Sequence, residues 1–320
     1  PVPLFRPPPA SLPMMPSAPR RLLRCLPLAL ALLSAPAVAA TPAAPDPTIA
    51  ERPPVTPIRA GKIVLVGDST TAVQGGWGPA FCAEHVASFV ACINLARGGR
   101  STYNYRAEGS WDIALHETRA APAYAGGVYV LTQFGHNDQP GKPARSTDLA
   151  REFPDNLRRY VREARAAGAV PVLLTPLTRR QFKDGVLVDD LAPWAEATRA
   201  VAAELDVPLV DLHARSTAAV QGMGPVQAMR FAQARPQPEQ VAAAQAGTTV
   251  GAAPTAPAGA ATPAAARPAA QDNAAAEPMG APKAAFDYTH LGPEGAAFFS
   301  AIVADELARA VPALRRNLIP

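Results

Sequence analysis

Two short stretches far apart in the chain carry residue types that together perform nucleophilic chemistry: Gly67-Asp68-Ser69 and Asp287-Tyr288-Thr289-His290. A serine hydroxyl is a poor nucleophile until a base takes its proton, and histidine is the side chain whose pKa suits that near neutral pH. Asp287 and His290 stand three positions apart, so a single turn can put both on one face. The carboxylate then holds the imidazole Nδ1–H while Nε2 faces Ser69. Attack on an ester carbonyl also needs preorganised donors for the oxyanion. The N–H groups of Ser69 and Gly99 and the amide of Asn137 are the candidates. Ser69, His290, Asp287, Gly99 and Asn137 form a full inventory for acyl transfer.

The surrounding elements must bring these residues together. Ile63-Val64-Leu65-Val66 is a short unbroken apolar run, which suits a strand over 62–66 buried on both faces. Gly67 lets the chain turn at its end, leaving Ser69 at the carboxyl edge of a parallel sheet, where open α/β folds place their ligands. A helix is expected over 77–89, a strand over 91–95 ending at Gly98-Gly99, and a short helix over 111–119. A third strand, 128–132, runs into Gly135-His136-Asn137-Asp138. Phe153, Leu157, Tyr160, Val161 and Ala164 share one stripe of a helix over 153–167. A strand over 170–174, a helix over 194–205, a strand over 207–212 and a closing helix over about 293–310 follow. This alternation implies right-handed crossovers and a three-layer α/β/α domain with a five-stranded parallel sheet. From about 235 to 282 the chain is dominated by Ala, Pro, Gln and Gly, and is expected to be a disordered or loosely ordered insertion within a domain spanning 59–320.

The N-terminus reads differently. Arg20, Arg21 and Arg24 precede an apolar run over 26–33, and Ala37-Val38-Ala39 fits a small-residue cleavage site. Residues 1–39 are therefore expected to be a secretory leader, too short to span a membrane. Met14-Met15 sits where such a peptide should begin, so 1–13 reads as an upstream extension. Arg20-Arg21 also permits a twin-arginine route. Residues 40–58, rich in Pro, Ala and Thr, read as a flexible tether, and a periplasmic or secreted location follows. Residues 1–40 hold four of the 30 basic residues and none of the 26 acidic ones, so the remainder balances 26 against 26. The basic character belongs to the leader, and no electrostatic footprint for nucleic acid remains. No further run is long enough to cross a bilayer, so no membrane partner is expected after leader cleavage. Oligomeric state is not legible. Of three cysteines, Cys82 and Cys92 would survive cleavage, either as a bridge between a helix and the next strand or as two buried thiols.

The four blocks Gly67-Asp68-Ser69, Gly99, Gly135-His136-Asn137-Asp138 and Asp287-Tyr288-Thr289-His290 resemble those of the SGNH (GDSL-type) hydrolase superfamily. More narrowly, Gly76-Trp77-Gly78, Asn94 through Ser101 with Glu108-Gly109, Gln133-Phe134, and Thr175-Pro176 with Arg179-Arg180 resemble the rhamnogalacturonan acetylesterases. The likeness covers roughly 60–230 and 284–312. It implies a flavodoxin-like sheet and a serine esterase that removes acetyl groups from pectin, an acetylated polysaccharide, with no cofactor. Its triad carries onto Ser69, His290 and Asp287, and its oxyanion residues onto Ser69, Gly99 and Asn137. An acetylxylan or general carbohydrate acetylesterase is the enzymatic alternative, and a non-catalytic carbohydrate-binding relative is the other class. The insertion departs from the family pattern just upstream of Asp287.

Several residues have two readings. Trp77, Trp111, Arg100 and Arg179 could line a sugar cleft, with an arginine meeting galacturonate carboxylates, or serve packing and solvation. His136 reads as structural, and His85, His116 and His213 as surface or core residues without a carboxylate at a suggestive spacing. Absence of a Gly-x-Ser-x-Gly elbow argues against an ordinary α/β-hydrolase lipase. No phosphate-binding glycine motif and no zinc spacing appears.

Overall fold

The computed structural model describes residues 54–119, 121–251 and 286–319. The expected leader, most of the expected tether and residues 252–282 of the expected insertion lie outside the described residues. The compact unit Thr56–Pro320 contains the fold.

Five parallel strands form one sheet: β1 (Gly61–Gly67), β2 (Val90–Asn94), β3 (Val128–Gln133), β4 (Val170–Leu174) and β5 (Leu209–Val210), in the order β2-β1-β3-β4-β5. Helices α1 (Gly78–Glu84), α2 (Asn104–Ala107), α3 (Ser110–Thr118), α4 (Glu152–Ala166), α5 (Ala192–Glu204), α6 (Leu212–Ala228), α7 (Pro238–Gln245) and α8 (Pro293–Ala310) surround it. The expected α/β architecture is observed.

β1 shows why its sequence lacks polar alternation. Ile63 and Leu65 belong to a core with Phe81 of α1, Val220 of α6, and Phe299, Val303 and Leu307 of α8. Val64 and Val66 belong to the opposite core with Trp111 of α3, Leu157, Tyr160 and Val161 of α4, and Val201 of α5. Successive side chains of a strand point to opposite faces, so a strand between two helical layers must be apolar at every position. The parallel register pairs Leu65 with Asn94 and Gly67 with Gln133. The carboxyl ends of β2, β1 and β3 therefore finish side by side.

Several boundaries differ from expectation. α1 stops at Glu84, not 89, because Val86 forms an antiparallel bridge with Leu318 and the His85 carbonyl accepts the Ile319 N–H at 2.9 Å. β5 has two residues: Asp211 ends it by capping α6, its side chain accepting from the Ala214 N–H. A two-stranded hairpin, Phe182–Lys183 with Val186–Leu187, was not legible in the periodicity.

The described part of the expected insertion is a correction. Residues 235–251 are not loose, because 238–245 form α7, whose Gln237 N–H donates to Gln240 Oε1 at 2.8 Å. Val241 and Ala244 pack with Met229, Phe286 and Tyr288. Thr249 then pairs with the hairpin, donating its N–H to the Phe182 carbonyl at 2.9 Å. Alanine favours helix, and three apolar neighbours suffice to seat a short one.

Cys82 and Cys92 form a disulfide joining α1 to β2 across ten positions. Closing a loop of that length contributes about 2–3 kcal/mol in the chain-entropy view. Cys82→Ala with Cys92→Ala is expected to lower the unfolding free energy by about that amount in denaturant titration. Unchanged stability would show that the bridge constrains nothing.

Candidate active site

β1 ends in a tight turn that presents Ser69. The Asp68 carbonyl accepts the N–H groups of Thr71 and Ala72 at 3.1 and 3.0 Å, and Asp68 Oδ1 accepts the N–H and hydroxyl of Thr70, both at 2.8 Å. Gly67 is needed because a Cβ there would lie 2.7 Å from the Gln133 carbonyl oxygen. Behind the turn, Asp68 Oδ2 sits 3.3 Å from Nδ1 of His136, both side chains being buried. Burial works against the Asp68 charge, but His136 and the Thr70 donors outweigh it and hold the carboxyl below the ordinary range.

The second stretch closes onto this turn. His290 Nε2 lies 2.9 Å from Ser69 Oγ, and His290 Nδ1 lies 2.7 Å from Asp287 Oδ2. The other carboxylate oxygen, Oδ1, accepts the N–H groups of Thr289 and His290, each at 2.7 Å. One carboxylate thus both shapes the loop and orients the ring. The bond to Asp287 raises the His290 pKa above its ordinary value, with burial opposing. Burial would raise Asp287, but its bonds from His290 and the two N–H donors more than offset this and lower it.

Arg180 holds the loop from below. Its guanidinium donates to three backbone carbonyls: Thr289 at 3.2 Å, Asp287 at 3.1 Å and His290 at 2.8 Å. Its own N–H donates to the Tyr288 carbonyl at 2.8 Å. The side chain is 1 % exposed, and burial pulls its pKa down to about 10. The loop is pinned further by Leu291 N–H to the Gly75 carbonyl and by the Tyr288 hydroxyl to the Val250 carbonyl, both 2.8 Å.

The loops after β2 and β3 carry the remaining candidates. Gly99 has φ +73°, a left-handed conformation that favours glycine. Asn137 is buried and donates from Nδ2 to the Arg100 carbonyl at 3.0 Å. An amide has two N–H donors, so one such bond leaves the second for a ligand. Asp138 ties the two loops, accepting the Thr102 N–H and hydroxyl at 3.1 and 2.5 Å and the Thr147 hydroxyl at 2.9 Å. Burial pushes this carboxyl up to about 7.

The structure thus joins Ser69, His290 and Asp287 by direct hydrogen bonds and sets Gly99 and Asn137 on the neighbouring strand ends. The tryptophans are core residues: Trp77 donates to Gln133 Oε1 at 2.7 Å, and Trp111 to Glu163 Oε2 at 2.5 Å. Arg100 is buried and paired with Glu108 at 2.9 Å, so a carboxylate of the chain already meets its charge. His213 does have a carboxylate, Asp189 at 2.8 Å, from 24 positions away. Sequence reasoning assigned no role to Arg180, although a double arginine soon after a buried strand was the available signal.

The fold and the serine–histidine–aspartate chain define an SGNH-type hydrolase. Residues 65–231 match the GDSL-like Lipase/Acylhydrolase family, and the chain belongs to it. It is a carboxylic ester hydrolase. Two relatives come from Bacillus subtilis (strain 168). "Probable rhamnogalacturonan acetylesterase YesY" is 34% identical over 166 residues, covering 50% of this chain and 73% of that protein. "Rhamnogalacturonan acetylesterase RhgT" is 36% identical over 179 residues, covering 53% and 72%. The solved structure of YxiM from Bacillus subtilis shares the fold, with a TM-score of 0.53 at 20% identity over 79% of this chain. The aligned part is 57% of YxiM, so this chain spans a little over half of that protein's length.

Arg180→Met leaves three loop carbonyls without their donor, and is expected to cost on the order of 3 kcal/mol of stability. It should also open the 286–291 loop to limited proteolysis. Wild-type stability with wild-type protection would contradict the clamp.

Proposed function

We propose that the protein removes acetyl groups from plant cell-wall polysaccharide, with acetylated rhamnogalacturonan the favoured substrate, through an acetyl-serine intermediate. The observation that carries this reading is the hydrogen-bonded chain from Ser69 through His290 to Asp287. The names of the two relatives at 34% and 36% identity support the choice of polymer.

Ser69 Oγ attacks the acetyl carbonyl carbon while His290 Nε2 takes its proton. Asp287 keeps the ring in the tautomer with hydrogen on Nδ1 and stabilises the imidazolium that forms. The oxyanion is received by the N–H groups of Ser69 and Gly99 and the free amide hydrogen of Asn137. Collapse breaks the bond to the sugar oxygen, which leaves with the proton from His290. Water then attacks the acetyl-serine with His290 again as base, and acetate departs. No step requires a metal or an organic cofactor. The Cys82–Cys92 disulfide and the leader-like sequence support a periplasmic or secreted location for this work.

The base must be neutral to act, so activity rises with pH through the His290 pKa, which Asp287 holds above the ordinary value. The stability linkage has the opposite sign. A raised folded pKa contributes stability below the unfolded value and loses it as pH rises through the folded one. Acetate release from acetylated rhamnogalacturonan, measured beside acetylated xylan, tests the reading. We expect release mainly from the pectic polymer, an acid limb set by His290, and a loss of about 10³-fold or more in Ser69→Ala. Full activity in a folded Ser69→Ala protein would refute the mechanism, and release mainly from xylan would refute the substrate.

A further inference from the structure

A cavity of about 560 Å³ opens beside the candidate oxyanion loop, lined by Gly98, Gly99, Tyr103, Ala107 and Arg145 among others. Its position matters because Gly99 belongs both to this wall and to the proposed reacting centre. The sugar units flanking an acetylated one would fall here.

The wall has a distinctive charge balance. Glu108 and Arg100 also line it, but they neutralise each other at 2.9 Å, and Glu108 further accepts the Ser110 hydroxyl. Nearby, Arg179 is neutralised by Asp190 at 2.6 Å. Arg145 is different. Its Nη1 lies 3.5 Å from both the Gly99 carbonyl and Asn137 Oδ1, long contacts that leave most of its five N–H donors unused. Among the described residues no carboxylate lies within ion-pair distance of Arg145 or of Lys142. Lys142 is half-buried, and burial together with the charges of Arg179 and Arg145 lowers its pKa.

The loop is built to hold this uncompensated charge. The Ser146 hydroxyl donates to the Gln139 carbonyl at 2.8 Å and accepts the Lys142 N–H at 2.9 Å, which closes the turn. Ala144 takes φ +58°, a conformation alanine rarely adopts, immediately before Arg145. Tyr103, also in the cavity wall, is 46 % exposed and has a ring of the kind that packs against the apolar face of a sugar.

We infer that this cavity is a subsite for a uronic-acid unit of the polymer, whose carboxylate is bound by Arg145 while its ring rests on Tyr103. This rests on the polysaccharide acetylesterase reading and adds to it the charge that the enzyme selects. A guanidinium forks onto a carboxylate through two parallel N–H···O bonds, which a neutral sugar cannot match. The acetyl ester of a neighbouring unit would then lie toward Gly99.

The test is binding to the Ser69→Ala protein of two deacetylated rhamnogalacturonan oligosaccharides, one with its carboxylates and one with them reduced to alcohols. Calorimetry should show the acidic form bound about tenfold or more tightly, with the difference shrinking as salt is raised. In the Ser69→Ala/Arg145→Ala protein the preference should fall below about twofold, and in the Arg145→Lys counterpart part of it should return. Equal binding of the two oligosaccharides, or a preference that survives Arg145→Ala in a protein with unchanged circular dichroism, overturns the subsite. Acetate release by the wild type is scored separately. Release without charge preference defeats the subsite alone, whereas a charge preference without release defeats the esterase reading and leaves the anion site standing.

Discussion

The hydrogen bond between His290 Nε2 and Ser69 Oγ joins positions 221 residues apart, and the rest of the described structure is arranged so that it can form. Ser69 is fixed by the end of β1, a central strand clamped between two apolar layers. His290 has no strand of its own. It sits on a loop whose geometry comes from Asp287, through two N–H bonds to one oxygen and a ring bond to the other. A displacement of about 1 Å at either end would break the bond, and losses of order 10²-fold accompany misplacements of that size.

That loop is held from several directions. Arg180 binds its carbonyls from the β4 side, Gly75 receives Leu291 from the β1 side, and Val250 receives the Tyr288 hydroxyl from the end of the α7 segment. Burying an arginine is costly, and here three carbonyl oxygens compensate it. Without those donors the three carbonyls would be left unsatisfied. The described part of the Ala-rich segment, 235–251, braces the loop and the hairpin together, through Val250 and Thr249.

Much of this was legible in the sequence, for identifiable reasons. A five-stranded parallel sheet followed from Ile63-Val64-Leu65-Val66 and its counterparts, because burial on both faces leaves an unmistakable apolar run. The Asp287 and His290 offset pointed to a shared turn, and the structure brings both to Ser69. What escaped had no period to read. The hairpin at 182–187 has two residues per strand, and α7 is hidden in a composition that otherwise resembles disorder. Arg180 and Asp138 act through contacts spanning more than 100 and 36 positions, respectively. Trp77 and Trp111 invited a sugar-cleft reading, yet each is a core residue with its indole N–H satisfied. Among the described residues, the cavity-lining cation without a carboxylate partner is Arg145, which follows a left-handed alanine that no spacing rule foretells.

The central claim is that Ser69 becomes acylated. Rapid acid quench of the wild-type protein with acetylated substrate, followed by peptide mass analysis, tests this most directly. The expected result is one acetyl group on the peptide bearing Ser69, appearing before steady state and absent in Ser69→Ala. Substrate turnover with no acetylated peptide, or with the acetyl group on another residue, would contradict it.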